Sequence, residues 1–252
     1  FAAMPGTITY LNKTAKDSAY GKYVVLEHPD YKPTLYTLYA HLEDISPGLS
    51  IGTTVKAAEP IGKMGNSASF HIPLNRSHLH FEIGIRLSGN FDRWYDRQPF
   101  KTPNKHGNYN GYNLVGLDPL KFYSAYKNSR FASPMDYIRS LGEITKVQVP
   151  HRQTPDLILR NPGLSPSFDP RASISSWICS FGSNGIPLKL TPSGTHCPQI
   201  KILEYNQSLE IGRCRKLVVL KNGKLAPSEL LNACLRSEEH TSELQSPCNL
   251  VC

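Results

Sequence analysis

The stretch Ser77-His78-Leu79-His80-Phe81-Glu82-Ile83-Gly84-Ile85 alternates strictly in polarity. Strand side chains repeat every two residues, so His78, His80 and Glu82 fall on one side of a strand and Leu79, Phe81, Ile83 and Ile85 on the other. One face is core and the other carries chemistry. Two imidazoles spaced i, i+2 on a rigid strand can converge on one small object, usually a divalent metal with its bound water. A solvated face that carries two histidines accounts for the same pattern, and context has to decide.

The preceding sequence supplies a sheet for this strand. Thr7 to Tyr10, Tyr23 to His28 and Thr34 to Leu42 are rich in Val, Tyr, Leu and Thr and are joined by short connections, which predicts antiparallel strands. In the third of them Leu35, Thr37, Tyr39 and His41 share a face, with His41 at the strand's end. Pro47-Gly48, Gly52, Pro60-Ile61-Gly62 and Gly65-Asn66 cut the next stretch into turns around short strands such as Thr54-Val55-Lys56. The expected fold is mainly β, an antiparallel sandwich or partly open barrel.

Beyond the His-x-His strand, residues 87–117 interleave polar residues with Trp94, Tyr95, Phe100, Tyr109 and Tyr112. This predicts a long surface loop of the kind that carries function, with aromatics suited to stacking on a ligand. A short helix follows Asp118-Pro119 and runs through Tyr126. Ser133-Pro134-Met135-Asp136 has an N-cap serine, a proline at the first helical position and an acid that closes a capping box. Pro150, Pro155, Pro162, Pro166 and Pro170 oppose both helix and central strand, so 127–170 reads as a helix and a proline-rich linker. Strand patterns at Ile174 to Phe181, Gly185 to Thr191, Ile200 to Tyr205 and Lys216 to Leu220, a turn at Asn222-Gly223 and a helix from Pro227 to Leu235 make 171–235 a small β-rich module. Cys179, Cys197, Cys214 and Cys234 belong to it. They allow three pairings in an oxidising compartment, and zinc binding there is the weaker alternative because no Cys-x-x-Cys pair exists.

The 252 residues carry 28 Lys and Arg against 20 Asp and Glu, a net charge of +8. That excess favours a polyanionic partner such as an anionic wall polymer, nucleic acid or acidic lipid. No apolar run approaches the roughly 18 residues needed to cross a bilayer. Residues 236–252 read as one frame of a common sequencing adaptor and are expected not to be native. Without them the body carries +10, since they hold one Arg and three Glu. The chain opens at Phe1 directly before a strand pattern, which predicts that natural sequence precedes it.

Tyr39-Ala40-His41-Leu42, the turn-rich 52–62 segment with Gly65-Asn66, and His78-Leu79-His80-Phe81-Glu82 occur in an order that resembles the lysostaphin-type, or LytM-like, zinc endopeptidases. The resemblance covers residues 1–86 continuously and resumes at Leu117-Asp118-Pro119-Leu120. It implies a duplicated hybrid motif fold in a domain spanning 1–126, Zn2+ as cofactor, and hydrolysis of peptides in bacterial peptidoglycan. By that resemblance His80 is a zinc ligand, and His41 and His78 are catalytic groups flanking a metal-bound water. Glu82 faces the same side, as an orienting group or as a surface carboxylate.

Zinc with three protein ligands keeps a fourth position for water and lowers its pKa towards ~7, and imidazoles near ~6.5 can then shuttle protons. The family also carries an upstream His-x-x-x-Asp pair that supplies two zinc ligands. No such pair lies within the chain, so a truncated enzyme that binds zinc weakly and is inactive as it stands is expected. His28-Pro29-Asp30 does not replace that pair. The resemblance further implies an extracytoplasmic location, peptidoglycan peptides as substrate and no nucleic-acid partner, with the basic surface contacting anionic wall polymers. The rival reading is a non-catalytic LytM-like module that regulates wall hydrolases. A basic nucleic-acid-binding barrel is a third possibility, which leaves the His-x-His strand unexplained.

Overall fold

The computed structural model describes residues 1–209 and 216–236, without the side chains of Leu230, Ala233, Cys234 and Arg236. The chain forms two compact units: residues 1–85 with 116–121, and 86–115 with the remainder.

The first unit is built on one sheet. Its strands are β1 (Gly6–Asn12), β2 (Lys22–His28), β3 (Leu35–Ile45), β4 (Thr54–Val55), β5 (Gly62–Met64), β6 (His80–Arg86) and β7 (Leu114–Leu117). They lie in the order β4-β1-β2-β3-β6-β7, with β5 also on β3. The pairs β1/β2, β1/β4, β2/β3, β3/β5 and β3/β6 are antiparallel. Mainly β architecture with antiparallel pairing is therefore as expected, and the described strands close no barrel.

Period-two alternation makes one face of this sheet apolar. Ile8, Val24, Leu26, Tyr39, Leu42, Val55 and Ile61 form its core, with Phe81 packed against them. Leu79 does not join them. It precedes the first residue of β6 and is 42% exposed, because pairing with β3 begins only at Ala40↔His80.

His28 ends β2 fully buried on the core side, its Nδ1 2.7 Å from the Pro5 carbonyl and its Nε2 2.8 Å from the Thr37 hydroxyl. A carbonyl only accepts, so Nδ1 carries the proton and Nε2 accepts from Thr37. Both ring nitrogens of His28 are thus engaged within the fold.

Segment 87–117 is less of a loop than expected. It contains α1 (Phe91–Tyr95), whose Phe91, Trp94 and Tyr95 are buried together. Then come α2 (Pro119–Lys127), which begins as predicted, and α3 (Pro134–Ser140). The Ser133 hydroxyl caps α3 by accepting from the Asp136 amide at 3.3 Å, and it donates to the Asp136 carboxylate at 2.8 Å.

The proline-rich stretch is folded rather than a linker. It follows β8 (Thr145–Val149), a strand not anticipated, and contains α4 (Asp156–Arg160) with Leu157 and Ile158 buried. The five residues between Pro155 and Asn161 are free of proline and suffice for one turn, held by a 2.7 Å Arg160–Asp156 ion pair.

The remaining strands are β9 (Ser176–Phe181), β10 (Pro187–Ser193), β11 (Lys201–Tyr205), β12 (Val218–Lys221) and β13 (Lys224–Pro227), followed by α5 (Glu229–Arg236). The sheet order β10-β9-β8-β11 makes Thr145–Val149 a central strand, and β12 and β13 form a separate hairpin. Cys179 and Cys197 are buried thiols. Cys214, the Cys234 side chain and residues 237–252 lie outside the described residues, so the disulfide pairings and the adaptor reading are not addressed there. Among the described residues no helix is long and apolar enough to cross a membrane.

Candidate active site

Strict alternation would turn His41 to the core side with Tyr39. A bulge prevents this. The register of β2 on β3 shifts between Val24↔Tyr39 and Lys22↔Leu42, so Ala40 and His41 together stand opposite Tyr23. His41 takes up the extra residue with φ 59°, the left-handed region that a residue with a Cβ rarely enters. Its ring is thereby brought to His78 and His80, with centroid separations of 4.8 and 5.8 Å. His41 thus sits inside β3 rather than at its end, and the strand continues to Ile45.

The loop after β5 holds the other side of the cluster. The Gly65 amide donates to the His41 carbonyl at 2.9 Å, and the His78 amide donates to the Gly65 carbonyl at 3.1 Å. A Cβ on Gly65 would stand 2.5 Å from the Glu43 amide nitrogen, so this close approach requires glycine. Gly21 does the same for Ser67. It has φ +65°, and a Cβ there would collide with the Ser67 carbonyl oxygen. Ser67 Oγ accepts from the Lys22 amide at 2.8 Å, and its carbonyl lies 2.8 Å from His41 Nδ1.

Each imidazole has one nitrogen engaged by an acceptor. His41 Nδ1 donates to the Ser67 carbonyl and His78 Nδ1 to the Arg76 carbonyl at 2.9 Å, which leaves Nε2 of each as the lone-pair nitrogen of the neutral ring. His80 is the reverse. Its Nε2 faces the Glu82 carboxylate at 2.8 Å, so Nδ1 is the lone-pair nitrogen. Burial lowers the His41 pKa, as do His78 and His80, against the opposing effect of the Ser67 carbonyl, and the ring is held neutral.

Glu82 is an orienting group rather than a surface carboxylate. Besides His80, Tyr20 donates to its Oε1 at 2.7 Å and Tyr36 to its Oε2 at 2.9 Å. Burial pushes its pKa up, but the hydrogen bonds from His80, Tyr20 and Tyr36 outweigh burial and hold the carboxyl below its ordinary value, hence ionised. Tyr20 also packs on His80, with centroids 5.3 Å apart. Tyr20, Tyr36 and Ser67 were not anticipated. Period two on β3 places Tyr36 beside Glu82's strand but not its hydroxyl on the carboxylate, Tyr20 comes from a turn, and Ser67 comes from the loop after β5.

A carboxylate behind one ring nitrogen is how proteins commonly fix a histidine that ligates through the other. His80 fits that description. The full donor set does not: among the described residues no group of three or more His, Cys, Asp or Glu side chains is arranged to hold a metal. No reaction step through a metal follows from these residues.

Residues 1–91 match the model of Peptidase family M23. No curated protein matches the chain. Among solved structures, a zinc-containing peptidase from Vibrio cholerae is 29% identical, over 32% of this chain and 21% of that one, with a TM-score of 0.25. A mutant catalytic domain of the prophage-encoded M23 protein EnpA from Enterococcus faecalis is 23% identical, over 33% and 55%, with a TM-score of 0.27. LytU is 25% identical, over 33% and 50%, with a TM-score of 0.25. The chain thus spans about a fifth of the first of these structures and about half of the other two. The part of the chain that matches the Peptidase family M23 model, residues 1–91, is the part that contains the bulged His41 and the His78/His80 strand.

Proposed function

We propose that the first unit is a peptidase domain directed at peptide bonds of bacterial peptidoglycan, outside the cytoplasm, with Zn2+ as its metal. The convergence of His41, His78 and His80, each with one nitrogen engaged and the other a lone pair, carries this reading. His80 is the proposed metal ligand through Nδ1. His41 and His78 are the proposed catalytic groups, because the Nε2 atom of each can take a proton and return it to a leaving amine. The second unit is the proposed contact for anionic wall polymers, and nucleic acid is not a proposed partner.

The absence of a three-ligand group among the described residues favours a second reading, a non-catalytic module that binds or regulates wall hydrolases. Turnover of cross-linked muropeptides with zinc supplied separates the two. On the enzyme reading, in the chain joined to a His-x-x-x-Asp segment that completes the ligand set, His80→Ala loses zinc and cleavage together, whereas His78→Ala keeps the metal and slows cleavage by on the order of 10²–10³. Binding to muropeptides without any cleavage by that joined chain supports the module, and full activity in both variants refutes the enzyme reading.

A further inference from the structure

Segment 86–115 carries a stack of aromatic rings that the proposed peptidase does not use. Phe100 lies on Tyr95 with centroids 4.4 Å apart and rings within 28° of parallel. Tyr112 continues the stack from Phe100 at 6.4 Å and 12°. Tyr95 is buried at the base, whereas Phe100 is 38% and Tyr112 57% exposed. Phe100 therefore lies between Tyr95 and Tyr112, and Tyr112 is the ring at the solvent end of the stack.

The stack is supported from beneath. Trp94 packs edge-on to Phe100 at 6.0 Å, and both Trp94 and Tyr95 sit in the buried cluster with Phe91. On the other side Asn110 Oδ1 accepts from the Tyr112 amide at 3.1 Å while its Nδ2 donates to Asn104 Oδ1 at 3.1 Å. Asn104 in turn donates to Asp92 on α1 at 2.8 Å. These bonds tie Tyr112 to the helix that seats Phe100, so little ordering cost is left for a ligand.

Charge indicates what the rings take. Acidic and basic residues balance in the first unit, so the whole positive excess lies in the second. Around the stack in sequence, Arg93, Arg97 and Lys101 are exposed and in no ion pair among the described residues, against Asp92, already held by Asn104, and Asp96.

We propose that Tyr112, backed by Phe100, is a stacking platform for a sugar ring of an anionic wall glycan, with Arg93, Arg97 and Lys101 meeting its carboxylates or phosphates. The C–H face of a pyranose matches an aromatic ring in shape and polarity. The choice of glycan over single-stranded nucleic acid rests on the wall-directed reading of the first unit. The anionic group has two sources, acidic stem peptides or a phosphate-bearing accessory polymer.

The test is binding of the full chain to intact sacculi, to sacculi stripped of phosphate polymers, to peptide-free glycan strands and to oligo-dT. Tyr112→Ala and Phe100→Ala are each expected to weaken glycan-strand binding about tenfold. Tyr112→Phe keeps it. Tyr112 is the more exposed ring, so its loss leaves the unfolding transition in place, which guards against misreading an unfolded Phe100→Ala. Arg97→Gln with Lys101→Gln weakens binding to whichever sacculi hold the relevant anion. Tighter binding to oligo-dT than to glycan, or equal glycan binding by Tyr112→Ala and the unaltered chain, overturns the proposal. Loss of muropeptide cleavage in a His78 variant with glycan binding intact bears on the peptidase reading alone.

Discussion

The Glu82 carboxylate lies 2.8 Å from His80 Nε2 while also accepting from the hydroxyls of Tyr20 and Tyr36. The two residues share a strand and a face, and the tyrosines fix the carboxylate from β3 and from the turn before β2. The orientation of His80 is therefore set before any metal arrives.

Glu82→Gln removes that setting while keeping the size of the side chain. Zinc affinity is expected to fall about 10–100-fold, as for other residues behind a metal-bound histidine. Tyr20→Phe and Tyr36→Phe each delete one donor, at a cost of about 1 kcal/mol in stability. Isothermal titration with zinc and denaturant unfolding give the two quantities. Unchanged affinity in Glu82→Gln would make the carboxylate a bystander.

Gly21→Ala acts on the cluster through Ser67, whose carbonyl accepts from His41 Nδ1. Its Cβ cannot coexist with the Ser67 carbonyl, and its φ of +65° disfavours any side chain. We expect a loss of about 1–3 kcal/mol, together with loss of the His41–Ser67 hydrogen bond. Chemical denaturation reads the first and the imidazole nitrogen resonances of His41 the second. A variant that keeps both would mean that Ser67 can retreat freely.

His28 gives the fold a pH dependence. Burial lowers its pKa, only partly offset by the Pro5 carbonyl and Glu27. The folded chain thus binds this proton less readily than the unfolded chain, whose imidazole titrates near ~6.5. The contribution is complete above that pH and is lost as pH falls from about 6.5 through the lowered folded value. Unfolding free energy measured from pH 8 to pH 4 should fall below pH 6.5, and His28→Asn should remove that slope. A slope unaltered in His28→Asn would assign it to other groups.

Alternation alone made His78, His80 and Glu82 legible as one polar face, because a strand with a buried side has a period of two. It could not deliver His41. Tyr39-Ala40-His41-Leu42 contains no glycine to announce a left-handed residue, and the bulge that turns His41 is fixed by pairing with Lys22 and Val24, far away in sequence. Leu79 is exposed for a related reason, since it precedes the part of the strand that pairs with β3. In the second unit, prolines at 150, 155, 162, 166 and 170 suggested an unfolded connection. Proline disfavours only its own surroundings, however, and the intervals between these prolines leave room for a packed turn of helix. Thr145-Lys146-Val147-Gln148-Val149 has a strand's alternation but is short, and its central place depends on partners on both sides.

The central claim is that His78 and His80, two residues apart, do different work. Zinc titration of the chain, followed on the imidazole nitrogens of His41, His78 and His80, tests it most directly. The account predicts that His80 Nδ1 moves first, that His80→Ala abolishes the response, and that His78→Ala leaves it in place. A response that follows His78 and survives in His80→Ala would contradict the assignment.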